Sequence, residues 1–146
     1  MPFQFRLEAV LKLRQRECER QRQSVTLARQ KHAEDTARRE FITRARLAVI
    51  DELRQMNRDD VWDVDQIQLR QNHIEILNQD LLHVEADVAK AESHLAECLK
   101  RLISADQAVG ALERLAEMQR VEFHKNEARI EARNLEDLAR PDRRVA

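Results

Sequence analysis

From Ile67 to Ile130 an apolar residue returns at every seventh position without a gap: Ile67, Ile74, Leu81, Val88, Leu95, Leu102, Val109, Ala116, Phe123 and Ile130. A second series, Leu77, Val84, Ala91, Cys98, Ala105 and Leu112, falls three residues after members of the first. Paired seven-residue repeats of this kind form the seam of a left-handed coiled coil, because the under-wound helix keeps both series facing one partner. A helix carrying that seam needs another helix against it.

The rest of the composition fits a narrow seam better than a broad core. Of 146 residues, 36% are charged and 3% aromatic, with a mean hydropathy of -0.69. Gly110 is the single glycine, and Pro2 and Pro141 stand at the extreme ends, so little between them interrupts a helix. One glycine also excludes the glycine-rich phosphate loops of nucleotide-binding proteins, which need several residues of unusual backbone conformation. No apolar run approaches the ~20 residues of a membrane span, and the opening residues lack the hydrophobic stretch of a signal peptide. Cytoplasmic residence without membrane insertion is therefore expected. Cys18 and Cys98 form no CxxC pair, and Cys98 occupies a seam position where a thiol packs like a small hydrophobe.

Upstream of this seam, Leu7, Val10, Leu11, Val25, Ala28, Ile42, Val49, Leu53 and Met56 form a weaker stripe, broken by His32, Arg39 and Arg46. Between the stripes lies Asn57-Arg58-Asp59-Asp60-Val61-Trp62-Asp63-Val64-Asp65, rich in turn-forming residues, with Asp63 or Asp65 suited to cap a second helix. Charge favours a reversal there. Residues 1–50 carry 12 Lys and Arg against 6 Asp and Glu, whereas residues 51–113 carry 6 against 14. Folding the basic arm on the acidic one pairs opposite charges along the seam, whereas a parallel homodimer of either arm stacks like charges. The expected fold is all-α, a long two-helix antiparallel coiled-coil hairpin. A single rod is expected over residues 1–146, with a first helix at about 3–56, a turn at about 57–64 and a second helix at about 65–139. A turn centred on Asp60 brings Phe5 level with Ala116 and leaves roughly twenty residues of the second helix uncovered, with Phe123 and Ile130 still in register. An uncovered apolar stripe also suggests self-association, for example in a crystal.

The opening run Phe3-Gln4-Phe5-Arg6-Leu7-Glu8-Ala9-Val10-Leu11-Lys12-Leu13-Arg14, followed by a long charged helix, resembles the start of the bacterial flagellar export protein FliJ family, whose pattern is F-x-F-R-L-x-x-V-L-x-L-R. The resemblance implies a component of the flagellar type III export apparatus, an antiparallel two-helix stalk at the cytoplasmic face of the inner membrane at the flagellar base. It implies three partners: the hexameric export ATPase, whose ring receives the end holding both termini, the cytoplasmic domain of the export-gate membrane protein, and substrate chaperones. The equivalent stalk of a virulence type III secretion system, or a coiled-coil spacer with no motor partner, is the alternative.

Two surfaces are candidates for these contacts. At the terminal end, Phe3, Phe5, Leu7 and Leu11 lie beside Phe123, Ile130, Leu135 and Leu138, with Arg6, Arg14, Arg16, Arg129 and Arg133 nearby. Apolar anchors ringed by arginine suit insertion into a protein ring. The plainer reading is that Phe3 and Phe5 staple the open end and the arginines are solvated. Near the turn, Trp62, Leu69, Ile76 and His83 recur at seven-residue spacing outside the seam, and Phe41 and Ala48 form a comparable pair on the first arm. Seam packing does not require them, so they suit a partner such as the export gate, or else are scattered surface residues with Trp62 capping the loop.

His32, His73, His83, His94 and His124 are not spaced as helical metal ligands, and Ser24, Ser93 and Ser104 lie on helices with no pocket implied. No cofactor and no enzymatic activity are expected. Arg14, Arg16, Arg20 and Arg22 resemble a basic region, but a net charge of -1 and an acidic arm opposite leave little field for nucleic acid.

Overall fold

A computed structural model describes residues 2–58 and 63–140. Two helices account for nearly all of them: α1 spans Glu8–Arg58 and α2 spans Val64–Ala139. They run antiparallel, in the all-α hairpin that the repeats and charge imply. The first helix opens at Glu8 rather than near residue 3, because the Glu8 amide closes a turn onto the Phe5 carbonyl at 3.1 Å. Residues 2–7 precede it as non-helical chain. Asp63 caps α2: its Oδ1 accepts from the amides of Asp65 at 3.1 Å and Gln66 at 3.4 Å, satisfying two donors that helical geometry leaves unpaired. Of the two aspartates suited to that role, Asp63 takes it. The remainder of the expected turn, residues 59–62 with Trp62, lies outside the described residues.

Packing divides the chain into two compact units, one formed by the residues up to Arg20 with those from Ile103 onward, the other by Gln21–Leu102. In the second unit Leu77, Val84, Val88, Ala91 and Cys98 of α2 are buried, all members of the two heptad series. Val25 and Ala28 of α1 meet Cys98, with Leu95, Leu99 and Leu102 closing the cluster. Cross-helix charge pairs flank this seam: Arg38 donates to Asp87 at 2.7 Å, Arg70 to Glu52 at 3.0 Å, and His32 lies 3.4 Å from Glu92. Other pairs stay within one helix at three- or four-residue spacing, such as Arg44 with Glu40 and Arg101 with Glu97. Exposed pairs of either sort contribute ~0.2–1 kcal/mol each, so the apolar seam supplies most of the stability and the charges select the pairing.

The α1 side of the seam departs from a simple stripe. Asp35, seven residues after Ala28, is 2% exposed, and its Oδ1 takes Lys31 at 3.1 Å and Arg38 at 3.4 Å, while Oδ2 has no hydrogen-bond partner. His32, Arg39 and Arg46 are half-buried, their stems or ring covering the seam, and Arg46 Nε is buried without a hydrogen-bond partner. A buried carboxylate with incomplete compensation weakens a seam that an apolar side chain would strengthen. Thermal unfolding followed by circular dichroism should therefore show Asp35→Leu melting higher than the parent chain. Arg38→Ala should melt lower by on the order of 1 kcal/mol, because it strips a countercharge from a carboxylate that stays buried.

In the first unit Leu11 and Cys18 are buried seam residues, and the Cys18 thiol donates to Asp106 Oδ1 at 2.8 Å. Gly110 lies within α2, and a Cβ added there meets nothing within 4 Å. Gly110→Ala should raise stability by about 0.5–1 kcal/mol, read as a higher denaturation midpoint with unchanged slope, because alanine loses less backbone entropy on entering a helix.

Candidate functional site

The terminal end begins where α1 stops covering α2. Phe3, on the non-helical lead-in, places its ring 5.6 Å from that of Phe123 at 48°, and His124 sits edge-on to Phe123 at 5.7 Å. Phe3 and Phe123 are half-buried, as is Phe5. A reversal centred on Asp60 would bring Phe3 beside a residue near 118; the observed partner lies about one helical turn later, because the helices pair with their numbering displaced toward the C-terminus. Leu11, a candidate contact residue, is a covered seam residue, whereas Arg6, Leu7 and Arg14 are exposed.

Beyond the aromatic pair α2 continues to Ala139, and the Arg140 amide still reaches the Glu136 carbonyl at 3.0 Å. Arg129, Ile130, Arg133, Leu135 and Leu138 are all exposed on this stretch. Ile130 keeps seam register but, at 56% exposed, has lost its cover. Phe3 and Phe123 thus meet at the open end, facing each other rather than solvent. Just upstream, Arg120 grips Glu117 through two donors, at 3.0 and 2.6 Å. That hydrogen bond holds the Glu117 carboxyl below its usual range.

In the unit Gln21–Leu102, the Arg38–Asp87 bridge marks one side of the seam. Phe41 follows Arg38 by three residues and His83 precedes Asp87 by four, so both stand just outside that bridge. Ala48 and Ile76 occupy the equivalent places one heptad nearer the turn, and Leu69 one further along α2. The two off-seam pairs thus share a single face. Phe41 is 73%, Leu69 63% and Ile76 59% exposed, and His83 and Ala48 are exposed too. Trp62, the remaining member of this group, lies outside the described residues. Leu27, two heptads before Phe41, extends the face and was absent from the sequence candidates, although the same spacing reaches it.

A model of the family described as flagellar FliJ protein matches residues 3–141. The chain belongs to the FliJ family. Membership makes it a component related to flagellar type III export, in a family of non-catalytic parts of that apparatus. No curated protein and no solved structure matches the chain. The match begins at Phe3, the first residue of the opening motif and the one that closes on Phe123. In this family member, among the described residues, no helix is long and apolar enough to cross a membrane, and no three His, Cys, Asp or Glu side chains group as a metal site.

If the Phe3–Phe123 contact anchors the lead-in, Phe3→Ala should leave the helices intact while loosening residues 2–7. Hydrogen exchange of the amides in that segment should accelerate by roughly tenfold, corresponding to the ~0.5–1.5 kcal/mol an aromatic pair adds. Unchanged exchange would mean that Phe5 or Leu7 holds the segment instead.

Proposed function

We propose that this chain acts as a single coiled-coil stalk of the flagellar export apparatus, with its terminal end seated in the hexameric ring of the export ATPase. Family membership and the geometry of that end support this reading. The observation that carries it is the stretch of α2 after Phe123, an exposed helix bearing Arg129, Ile130 and Arg133 beyond the start of α1. A lone helix presenting alternating apolar and cationic groups suits a narrow, anionic protein opening. A helical end lacks the symmetry of a ring, so each ring subunit meets a different surface. Binding energy then differs among subunits and biases ring assembly and the states of its members.

The face carrying Phe41, Ala48, Leu69, Ile76 and His83 is the proposed contact for the cytoplasmic domain of the export gate, with Trp62 as a further candidate. Substrate chaperones are proposed as transient clients of the same stalk, which would operate in the cytoplasm, peripheral to the inner membrane at the flagellar base.

The two surfaces separate in one experiment. Added to the cognate export ATPase, the parent chain should raise both its oligomerisation and its hydrolysis rate. Arg129→Glu with Arg133→Glu should lose most of that stimulation and retain gate binding, whereas Leu69→Asp with Ile76→Asp should do the reverse, all with unchanged helicity by circular dichroism. An ATPase indifferent to the parent chain would defeat the stalk assignment and leave the spacer reading.

A further inference from the structure

The C-terminal part of α2 carries a second heptad series, out of phase with the first. Met118, Val121, Ala128, Ala132, Leu135 and Ala139, with Lys125 as the one polar member, alternate three and four residues apart. Val121 precedes Phe123 by two residues, which turns it ~200° around the helix, so this series faces away from the side that Phe3 covers. Met118 is 69% and Leu135 66% exposed. Met118, Val121 and Lys125 line a shallow groove edged by Glu122 and Arg129. A three-four repeat of apolar residues that no intramolecular helix covers has the form of an interhelical seam.

We propose that this face is an interface with a second copy of the chain, the two α2 segments packing antiparallel. The flanking charges choose both the partner and its direction. In an antiparallel pair centred between Asn126 and Glu127, Met118 meets Leu135 of the other copy, Val121 meets Ala132, and Lys125 meets the small Ala128, past which its ammonium reaches solvent. Glu122 then faces Arg129, a contact occurring twice by the two-fold symmetry, and His124, whose Nδ1 lies 3.6 Å from Glu127 of its own helix, stands beside Glu131 of the other copy. A parallel pair instead sets Glu117 against Glu122 and Glu131 against Glu136, like charges in both places. Glu122, Arg129 and Glu131 have no ion-pair partner among the described residues, so they are available for these contacts. Three heptads make a short interface, at the low end of specific ones, so the dimer forms reversibly. The inference does not rest on the stalk reading.

Sedimentation of the full-length chain from about 5 to 500 µM should show a monomer–dimer equilibrium. Val121→Glu should weaken it at least ~10-fold with helicity unchanged by circular dichroism. Glu122→Arg alone and Arg129→Glu alone should each weaken the dimer, and the double exchange should restore it, because the pair is re-formed with its signs swapped. Tightening by Glu122→Arg would overturn the antiparallel arrangement, since that change relieves repulsion only in a parallel pair. A monomer at every concentration, or a dimer indifferent to Val121→Glu, would overturn the interface itself and leave the face to a different protein.

Discussion

The structure depends on the burial of the α2 heptad seam by α1. Val84, Val88, Ala91 and Cys98 are almost wholly removed from solvent, and they can be so only because a second helix lies along them. Helices of this length gain little from propensity alone in water, and their persistence comes from the covered stripe. The contribution of the two helices is unequal. α2 supplies an unbroken apolar series, whereas α1 answers it with Val25, Ala28 and Val49 interspersed with His32, Asp35, Arg39 and Arg46. Long side chains make this tolerable, because their stems cover apolar surface.

Asp35 is the exception to that accommodation, too short to reach solvent from its place in the seam. Its carboxylate is held by Lys31 and Arg38, and Arg38 in turn spans to Asp87 on the opposite helix. The arrangement ties a register-specific contact to a buried charge: sliding either helix by one heptad would separate Arg38 from Asp87. Buried polar groups in coiled coils act in this way on register at some expense of stability.

Where α1 ends, the same seam changes its role. Phe123 retains a cover only because the non-helical lead-in folds Phe3 onto it, and Ile130 has none. The C-terminal stretch of α2 is therefore an exposed helix with apolar groups on two sides and arginines between them. The face near the turn differs in kind: its apolar residues are extras outside a well-covered seam, spaced at whole heptads on both helices.

Several of these features were legible in the amino-acid order. A seven-residue repeat over Ile67 to Ile130, the opposite charge of the two arms, a single internal glycine and the lack of internal proline determine two long helices, their antiparallel pairing and the residues of α2 that are buried, because periodicity and helix geometry alone place them on one side. Asp63 as a cap and Phe41, Leu69 and Ile76 as exposed residues follow from the same local rules. The burial of Asp35, Cys18 and Leu11, the pairing of Phe3 with Phe123, and the start of α1 at Glu8 were decided only in the tertiary structure. Each depends on the register between helices, which a turn of unspecified geometry shifts by several residues, and a shift of that size changes which side chain finds cover and which stands in water.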